Sequence, residues 1–435
     1  MAIFPLARTS LTIPTYDGSG LCIHPSVVDF GSSTFRGFRY WMAFTPYTDV
    51  TYERPSLVCS NDGVAWSVPS GLTNPIANPY SGQTVPADTT AINCYLNDPE
   101  LVYDPVADAL RVYFGYFNAT PGALHLGTSG FYYRTYDSDG ALAGQEPYEG
   151  TTNQVIAGQA GGSPVIERLS ATDWRMWFLN GTSVGYRTST DGISWSAATN
   201  CSLTFPTYAE NSVLNHMGGF RDSATGTLHL SLNCRRASGA YLGGDSEYIM
   251  LTTVDMDTPT TITAEQSDWF MEPFEVASKW ASRSMYRVCG VFDDYGNMRI
   301  WASGLSGPVV SPNPVHIAYS EGYLEDVTVS TDRTYSVGPV EVGAGASVTV
   351  ASIPSNGVIT VSGFETSAVS GTGVVRVDVV RADTSEVLAS RVAGTSAGLR
   401  PLLFGLPETE LQITLTETGG ANTATVTAFV TIGVI

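Results

Sequence analysis

Short runs rich in Val, Tyr, Phe, Trp and Thr, punctuated by Gly, Pro, Asn and Asp, follow one another along the chain. Runs with the apolar period of a long amphipathic helix are almost absent, so the pattern predicts an all-β protein. Five successive units stand out. The first covers residues 21–69, with 38–44 as its second strand. The second covers 92–143, with strands around Leu101, Val112 and Tyr132, and the third covers 162–199, with strands around Val165, Trp177 and the run before Trp195. A fourth holds strands at 213–217, 228–232 and 248–251, and a fifth at 285–292, 298–302 and 316–320. Each reads as three or four antiparallel strands. Five such sheets over residues 21–324, after an N-terminal arm of residues 1–20, predict a five-bladed β-propeller.

One turn recurs. Ser60, Asp62, Gly63 and Trp66 return as Ser189, Asp191, Gly192 and Trp195. The shared Ser-x-Asp-Gly-x-x-Trp predicts a strand, a tight turn and a strand, with Gly supplying positive φ and the tryptophan folding back as an apolar plug. From about residue 325 the composition changes: Trp, Cys, His, Met and Lys vanish, and Val, Thr, Ser, Gly and Ala dominate. Residues 325–435 alternate in the manner of half-buried strands and predict a second domain, a β-sandwich or jelly roll serving oligomerisation or attachment. The apolar terminal run 424–435 is expected to be paired inside a sheet or buried in an oligomer, because an uncovered strand of that kind aggregates.

Composition narrows the partners. The 435 residues carry 41 acidic and 21 basic side chains, a net charge of −20. That charge repels nucleic acid phosphates and anionic membrane surfaces, and leaves neutral glycans open. Residues 1–8 lack a basic segment followed by a long apolar run, so synthesis in a cytoplasm without a secretion signal is expected. The six cysteines have no paired spacing and read as buried free thiols.

At His24-Pro25, Tyr40-Trp41-Met42, Thr45-Pro46-Tyr47, Glu53-Arg54-Pro55-Ser56 and Ser60-Asn61-Asp62-Gly63, the first unit resembles the opening blade of propellers related to glycoside hydrolase family 43. Within that group the chain looks most like propeller modules of bacteriophage tail and receptor-binding proteins. Asn97-Asp98-Pro99-Glu100, Ser163-Pro164-Val165, Met176-Trp177-Phe178 and Met285-Tyr286-Arg287 continue the resemblance in order. It implies a central funnel ringed by acidic residues on the inner strands of the first three blades. Glycoside hydrolysis needs two such carboxylates. Here Ser26 and Ser163 stand near the positions where acids are expected, and only Asp98 remains, so the set is incomplete and no catalytic residue is assigned. If the chain is an enzyme, Asp98, Glu53 and Glu100 are the candidates.

His24 and His216 lie at inner-strand starts and can meet near the axis, as hydrogen-bonded core histidines or, as the resemblance implies, around a calcium ion or water cluster. No metal ligand set is assigned and no cofactor is required, with calcium as an option. The expected ligand-binding residues are His24, Tyr47, Asp98, His216, Tyr286 and Arg287, because aromatic faces pack on sugar rings and charged groups bond the hydroxyls. Trp41, in an alternating strand, reads as core.

These readings lead to the expectation of a phage tail-tip protein, made in the host cytoplasm, whose funnel binds a host-surface saccharide. Its partners would be that glycan, other tail proteins and two further copies in a trimer, with no nucleic acid and no membrane. The alternatives are a family-43-like depolymerase and a purely structural tail subunit.

Overall fold

The computed structural model describes residues 10–48, 53–79, 94–118, 129–146, 153–157, 161–210, 212–222, 225–235, 247–264, 270–271, 273, 280–292, 297–306 and 315–323, and beyond these the backbone of the strands from residue 332 onward. The chain divides into a unit of Leu6–Ser320 and a second unit built on Glu321–Ile435.

The first unit is a five-bladed propeller. Blade one is β1 (Cys22–Asp29), β2 (Tyr40–Pro46) and β3 (Ser56–Ser60). Blade two is β4 (Cys94–Asp104), β5 (Ala109–Asn118), β6 (Gly130–Asp137) and β7 (Leu142–Ala143), with β8 (Gln154–Ala157) also on β6. Blade three is β9 (Gly161–Ser170), β10 (Asp173–Asn180), β11 (Ser183–Ser189) and β12 (Thr199–Asn200). In blade four, β13 (Ser202–Leu203) flanks the sheet of β14 (Val213–Arg221), β15 (Leu228–Arg235), β16 (Glu247–Val254) and β17 (Thr261–Ala264). Blade five is β18 (Ser284–Phe292), β19 (Asn297–Leu305) and β20 (Val315–Tyr323).

The first strand of each blade lines the axis. β1 packs beside β4, β4 beside β9, β9 beside β14, β14 beside β18, and β18 returns to β1, closing the ring. The segment read as an arm takes part in that closure. Leu11 N–H donates to Ile317 O at 2.8 Å, and Ile13 is buried with Trp301 and Ile317.

The core consists of wedges between blades. Trp41 with Phe114 and Tyr136 fills one wedge, Tyr113 with Trp174 and Phe178 the next, then Trp177 with Leu230 and Met250, and Trp301 with Tyr40 and Ile317. Trp41 is core, its Nε1 donating to Phe35 O at 3.1 Å. Five cysteines among the described residues, Cys22, Cys59, Cys201, Cys234 and Cys289, are free thiols. Burial pushes the Cys22, Cys201, Cys234 and Cys289 thiols up to about 12, so they stay protonated and unreactive.

The repeated turn differs from a simple hairpin. Asp62 Oδ1 accepts the N–H groups of Val64 and Ala65 at 2.8 and 2.7 Å, while Gly63 N–H donates to Ser60 Oγ at 2.9 Å. Asp191 Oδ1 takes Ile193 and Ser194 N–H at 2.7 Å each, with Gly192 N–H on Ser189 Oγ at 2.9 Å. Gly63 and Gly192 sit at φ of +77° and +71°, the conformation that favours glycine. In place of the second strand there is a single bridge, Cys59 to Ser67 and Ser189 to Trp195. The freed carbonyls clip neighbouring blades together: Gly63 O accepts Trp301 Nε1 at 2.8 Å and Gly192 O accepts Tyr113 Oη–H at 2.9 Å.

The second unit contains two four-stranded antiparallel sheets. One runs β21 (Asp332–Val342), β28 (Ala424–Val434), β23 (Val358–Ser370) and β26 (Leu402–Gly405). The other runs β22 (Ser347–Pro354), β27 (Glu410–Glu417), β24 (Val375–Arg381) and β25 (Val387–Val392). The apolar terminal strand β28 pairs on both sides, with β21 and β23.

Candidate functional site

Each axial strand carries an irregularity at the same level. Pairing shifts between Ile23 and Ser26 in β1, Asn97 and Glu100 in β4, Leu214 and His216 in β14, and Met285 and Val288 in β18, with a matching shift opposite β9. In the first three blades the bulge has one sequence form, a residue before proline: His24-Pro25, Asp98-Pro99 and Ser163-Pro164. Proline within a sheet is confined to bulges and edges because it lacks the ladder N–H. The preceding residues stand at φ of +58°, +50° and +48°, a left-handed conformation that costs a non-glycine residue about 1–3 kcal/mol. The strain turns three side chains toward the axis.

His24, Asp98 and His216 meet there. His24 Nε2 and His216 Nδ1 each lie 3.2 Å from Asp98 Oδ1, and the two imidazole centroids are 4.9 Å apart. Asp98 Oδ2 accepts the Ser163 N–H at 3.1 Å, and Ser163 Oγ lies 3.2 Å from His216 Nδ1. Tyr286 completes the ring, 3.9 Å from His216 and 5.4 Å from His24 between centroids. The five bulges therefore deliver His24, Asp98, Ser163, His216 and Tyr286 to one layer.

Electrostatics set the protonation. Burial drives His24 down to about 3, with Asp98 opposing, so its imidazole is neutral at neutral pH. Burial also acts to raise Asp98, but the hydrogen bond from His216 and the charge of Arg287 hold its carboxyl well below the usual range. His24 Nδ1 is 2.8 Å from Thr45 Oγ1. With the proton on Nδ1, Nε2 presents a lone pair toward an ionised oxygen. His24 Nε2 is buried and makes no hydrogen bond. Two lone-pair atoms facing each other in a dry site repel unless a cation lies between them.

The three donor groups fit that cation. His24, Asp98 and His216 can each offer one ligand atom, all within 4.8 Å of one another. Two imidazoles and a carboxylate with positions left open suit a divalent transition metal better than calcium, which prefers six or more oxygens. Thr45 and the Ser163 amide would orient the ligands from behind.

Above this layer a cleft of about 350 Å³ is lined by Tyr95, Phe117, Asp98, Asn215 and His216, among others. Tyr95 stacks on Phe117 with centroids 4.8 Å apart, and Phe117 is exposed. A solvent-facing aromatic pair beside a polar centre is suited to the apolar face of a sugar. Tyr286 is pushed well above its ordinary pKa, first by burial and then by Glu247, Glu53, Tyr47 and Asp98. Its hydroxyl therefore remains a hydrogen-bond donor.

The other residues singled out in the sequence separate by depth. Glu53 is buried and sensed by both Tyr95 and Tyr286. Tyr47 packs with Tyr286 around Ile23, Leu305 and Val315. Arg287 and Glu100 do not line the cleft and form a floor beneath the histidine layer. Arg287 Nη2 bonds Glu100 Oε2 at 2.7 Å and Pro164 O at 3.0 Å, and Nη1 bonds Pro99 O at 2.7 Å. Glu100 also accepts from Ser26 Oγ at 2.9 Å and Ile166 N–H at 3.2 Å. With its lone pairs so engaged, Glu100 is an axial brace, and Arg287, fully buried, is closed to a sugar in the cleft. The sequence reading overlooked Thr45, the Ser163 amide and the Tyr95–Phe117 pair. The aromatic pair was visible only as two residues of adjoining strands.

No protein-family model matches the chain. A relative is the A type blood N-acetyl-alpha-D-galactosamine deacetylase of Flavonifractor plautii, 31% identical over 207 residues, which are 40% of this chain and 25% of that protein. The chain thus spans about a quarter of the length of this relative. Among solved structures, an N-acetylgalactosamine deacetylase from F. plautii in complex with blood group B trisaccharide aligns with a TM-score of 0.60 at 19% identity, over 74% of this chain and 96% of that one. A thermostable family-43 glycoside hydrolase aligns at 0.49 and 9% identity, over 70% and 90% of the two chains. The likeness to the solved deacetylase supports the propeller fold. The expectation of a phage tail receptor-binding protein is overturned: a relative in sequence is a deacetylase of N-acetylgalactosamine, and the propeller shares its fold with a solved N-acetylgalactosamine deacetylase. The resemblance had followed the scaffold, which many functions share.

Proposed function

We propose that the propeller is a metal-dependent hydrolase acting on a glycan, removing the acetyl group from an N-acetylated hexosamine. The observation that carries the reading is the His24, Asp98 and His216 set, with a buried His24 Nε2 that makes no hydrogen bond. The 31% identity to a deacetylase of N-acetylgalactosamine supports the reaction class. A divalent cation bound by these groups would supply Lewis acidity for an acyl carbonyl and acidify a water molecule. The chain does the rest. Thr45 holds the His24 ring, the Ser163 amide fixes Asp98, and the Tyr286 hydroxyl, kept protonated, donates to negative charge developing on the acyl oxygen. Tyr95 and Phe117 receive the sugar ring. The two sheets of the second unit are proposed to stack as a β-sandwich appended to this hydrolase.

A second reading is glycoside hydrolysis by Asp98 and Glu53. It is favoured by the burial of Glu53 and by the electrostatic coupling of both carboxylates to Tyr95 and Tyr286.

One assay separates the two. Glycans ending in N-acetylgalactosamine are incubated with the protein, after chelation and after return of zinc or manganese, and both acetate and new reducing ends are measured. Acetate release that needs the metal and falls about 1,000-fold or more in Asp98→Asn is expected. New reducing ends without acetate would overturn deacetylation in favour of glycosidase chemistry.

A further inference from the structure

Three bulges before proline aim one side chain each at the axis: His24, Asp98 and Ser163, at φ of +58°, +50° and +48°. The first two carry donor atoms of the set that can hold a cation. The third is a serine at 0% exposure, held from two directions. Its N–H donates to Asp98 Oδ2 at 3.1 Å, whereas both histidines meet Asp98 Oδ1. Its Oγ lies 3.2 Å from His216 Nδ1, the nitrogen that also stands 3.2 Å from Asp98 Oδ1.

Four atoms therefore converge: His24 Nε2, Asp98 Oδ1, His216 Nδ1 and Ser163 Oγ. Each is 3.2 Å from the next in that order. Two atoms that both lie about 2.1 Å from one cation are about 3.0–3.4 Å apart, for bond angles between octahedral and tetrahedral. All three separations fall inside that range.

Proton counting leads to the same place. His216 Nδ1 is the single hydrogen-bond partner of the Ser163 hydroxyl among the described residues. Once that nitrogen gives its lone pair to a cation, it can neither donate to Ser163 nor accept from it. A buried hydroxyl would then lose its partner, which is costly, unless its oxygen turns to the same cation. The strained backbone already points it there.

We infer that Ser163 Oγ is a fourth protein donor to the divalent cation, beside His24 Nε2, Asp98 Oδ1 and His216 Nδ1. This rests on the metal-dependent reading proposed above and adds a ligand and a metal class to it. Four protein donors close a tetrahedral zinc site. Room for an acyl oxygen and water then requires a cation that takes five or six ligands from mixed nitrogen and oxygen donors, as manganese does.

The test titrates the full chain with manganese, zinc and cobalt by calorimetry, and follows cobalt by absorption. Wild type should bind cobalt saturably without a thiolate-to-cobalt charge-transfer band, because Cys22, Cys201, Cys234 and Cys289 are buried, protonated thiols. Ser163→Cys should add that ultraviolet band, since a thiol that reaches the cation is deprotonated by it. Ser163→Ala, which removes one oxygen, should weaken manganese binding about tenfold or more and zinc binding less. Cobalt bound by Ser163→Cys without the charge-transfer band would overturn the inference. So would a Ser163→Ala chain that holds manganese as tightly as wild type, or one that loses both cations equally. A wild type that binds none of the three cations would overturn the metal-dependent reading itself, so the two failures are distinguishable.

Discussion

Glu100→Ala tests whether one ion pair braces the propeller axis. The carboxylate receives Ser26 from β1, Ile166 from β9 and Arg287 from β18, at 2.9, 3.2 and 2.7 Å, so four of the five axial strands meet at a single β4 side chain. Without it, the Arg287 side chain, at 0% exposure, keeps hydrogen bonds to the Pro99 and Pro164 carbonyls, and its charge is felt by the more distant Asp98. Removing one partner of a buried pair costs about 3–5 kcal/mol, because the other charge stays desolvated. The expected loss is therefore about 4 kcal/mol. Adding Arg287→Met removes the stranded charge, and the double variant should regain about 2 kcal/mol or more relative to Glu100→Ala. Tryptophan fluorescence during guanidinium unfolding reads the propeller alone, since the residues after 325 contain no tryptophan. A loss under about 1 kcal/mol in Glu100→Ala, or a double variant no more stable than the single, would refute the brace.

Thr45→Val deprives His24 Nδ1 of its partner and should weaken zinc or manganese binding about 10- to 100-fold by calorimetry; unchanged affinity would mean that Thr45 does not orient the ring. Gly63→Ala places a Cβ 2.9 Å from the Trp301 ring at a φ of +77°, so a loss of about 2 kcal/mol in chemical unfolding is expected, and a neutral effect would deny the blade clip. Burial raises Glu167 from 4.5 to about 7, so the folded chain holds its proton more tightly than the unfolded chain and stability falls as pH rises through that interval. Glu167→Gln should match the wild type near about pH 4 and exceed it by about 1–2 kcal/mol near about pH 8, allowing for solvent screening. A difference that is the same at both pH values would contradict the assigned burial.

The blades were legible because their signals are local. Alternation with period two, and Gly, Asn and Asp at the breaks, place the three strands of the first blade without knowledge of the rest. The site was legible only in part. His24, Asp98 and His216 could be named, but His216 and Asp98 lie 118 residues apart in sequence, and only closure of the ring brings them into contact. Side-chain direction was less accessible still. A bulge shifts the pleat by one residue and exchanges the two faces of the strand. In β18 the shift between Met285 and Val288 sends Tyr286 to the upper layer and Arg287 down into the floor. Residue type alone, an aromatic ring beside a guanidinium, therefore grouped two neighbours in one site. The same effect in β4 divides Asp98, which joins the histidines, from Glu100, which joins the brace. Asp98 and Glu100, both named as candidates if the chain is an enzyme, therefore stand in different layers.

That division gives the repeated strain a purpose. Three positions with φ near +50° cost about 1–3 kcal/mol each, and a regular strand would avoid them. A regular strand, however, would send alternate side chains to the axis at spacings fixed by the pleat, and could not place consecutive functional layers so close together. With a bulge at one level in every blade, the residue before the bulge turns up toward the cleft and the residue after it turns down. Five strands then build a polar layer of His24, Asp98, Ser163, His216 and Tyr286 directly over a brace of Ser26, Glu100 and Arg287. The brace in turn compensates for the strain by tying together the strands that carry it. Replacement of the upper layer can therefore change the chemistry with little effect on the ring, whereas replacement of the brace should weaken the ring and the site together.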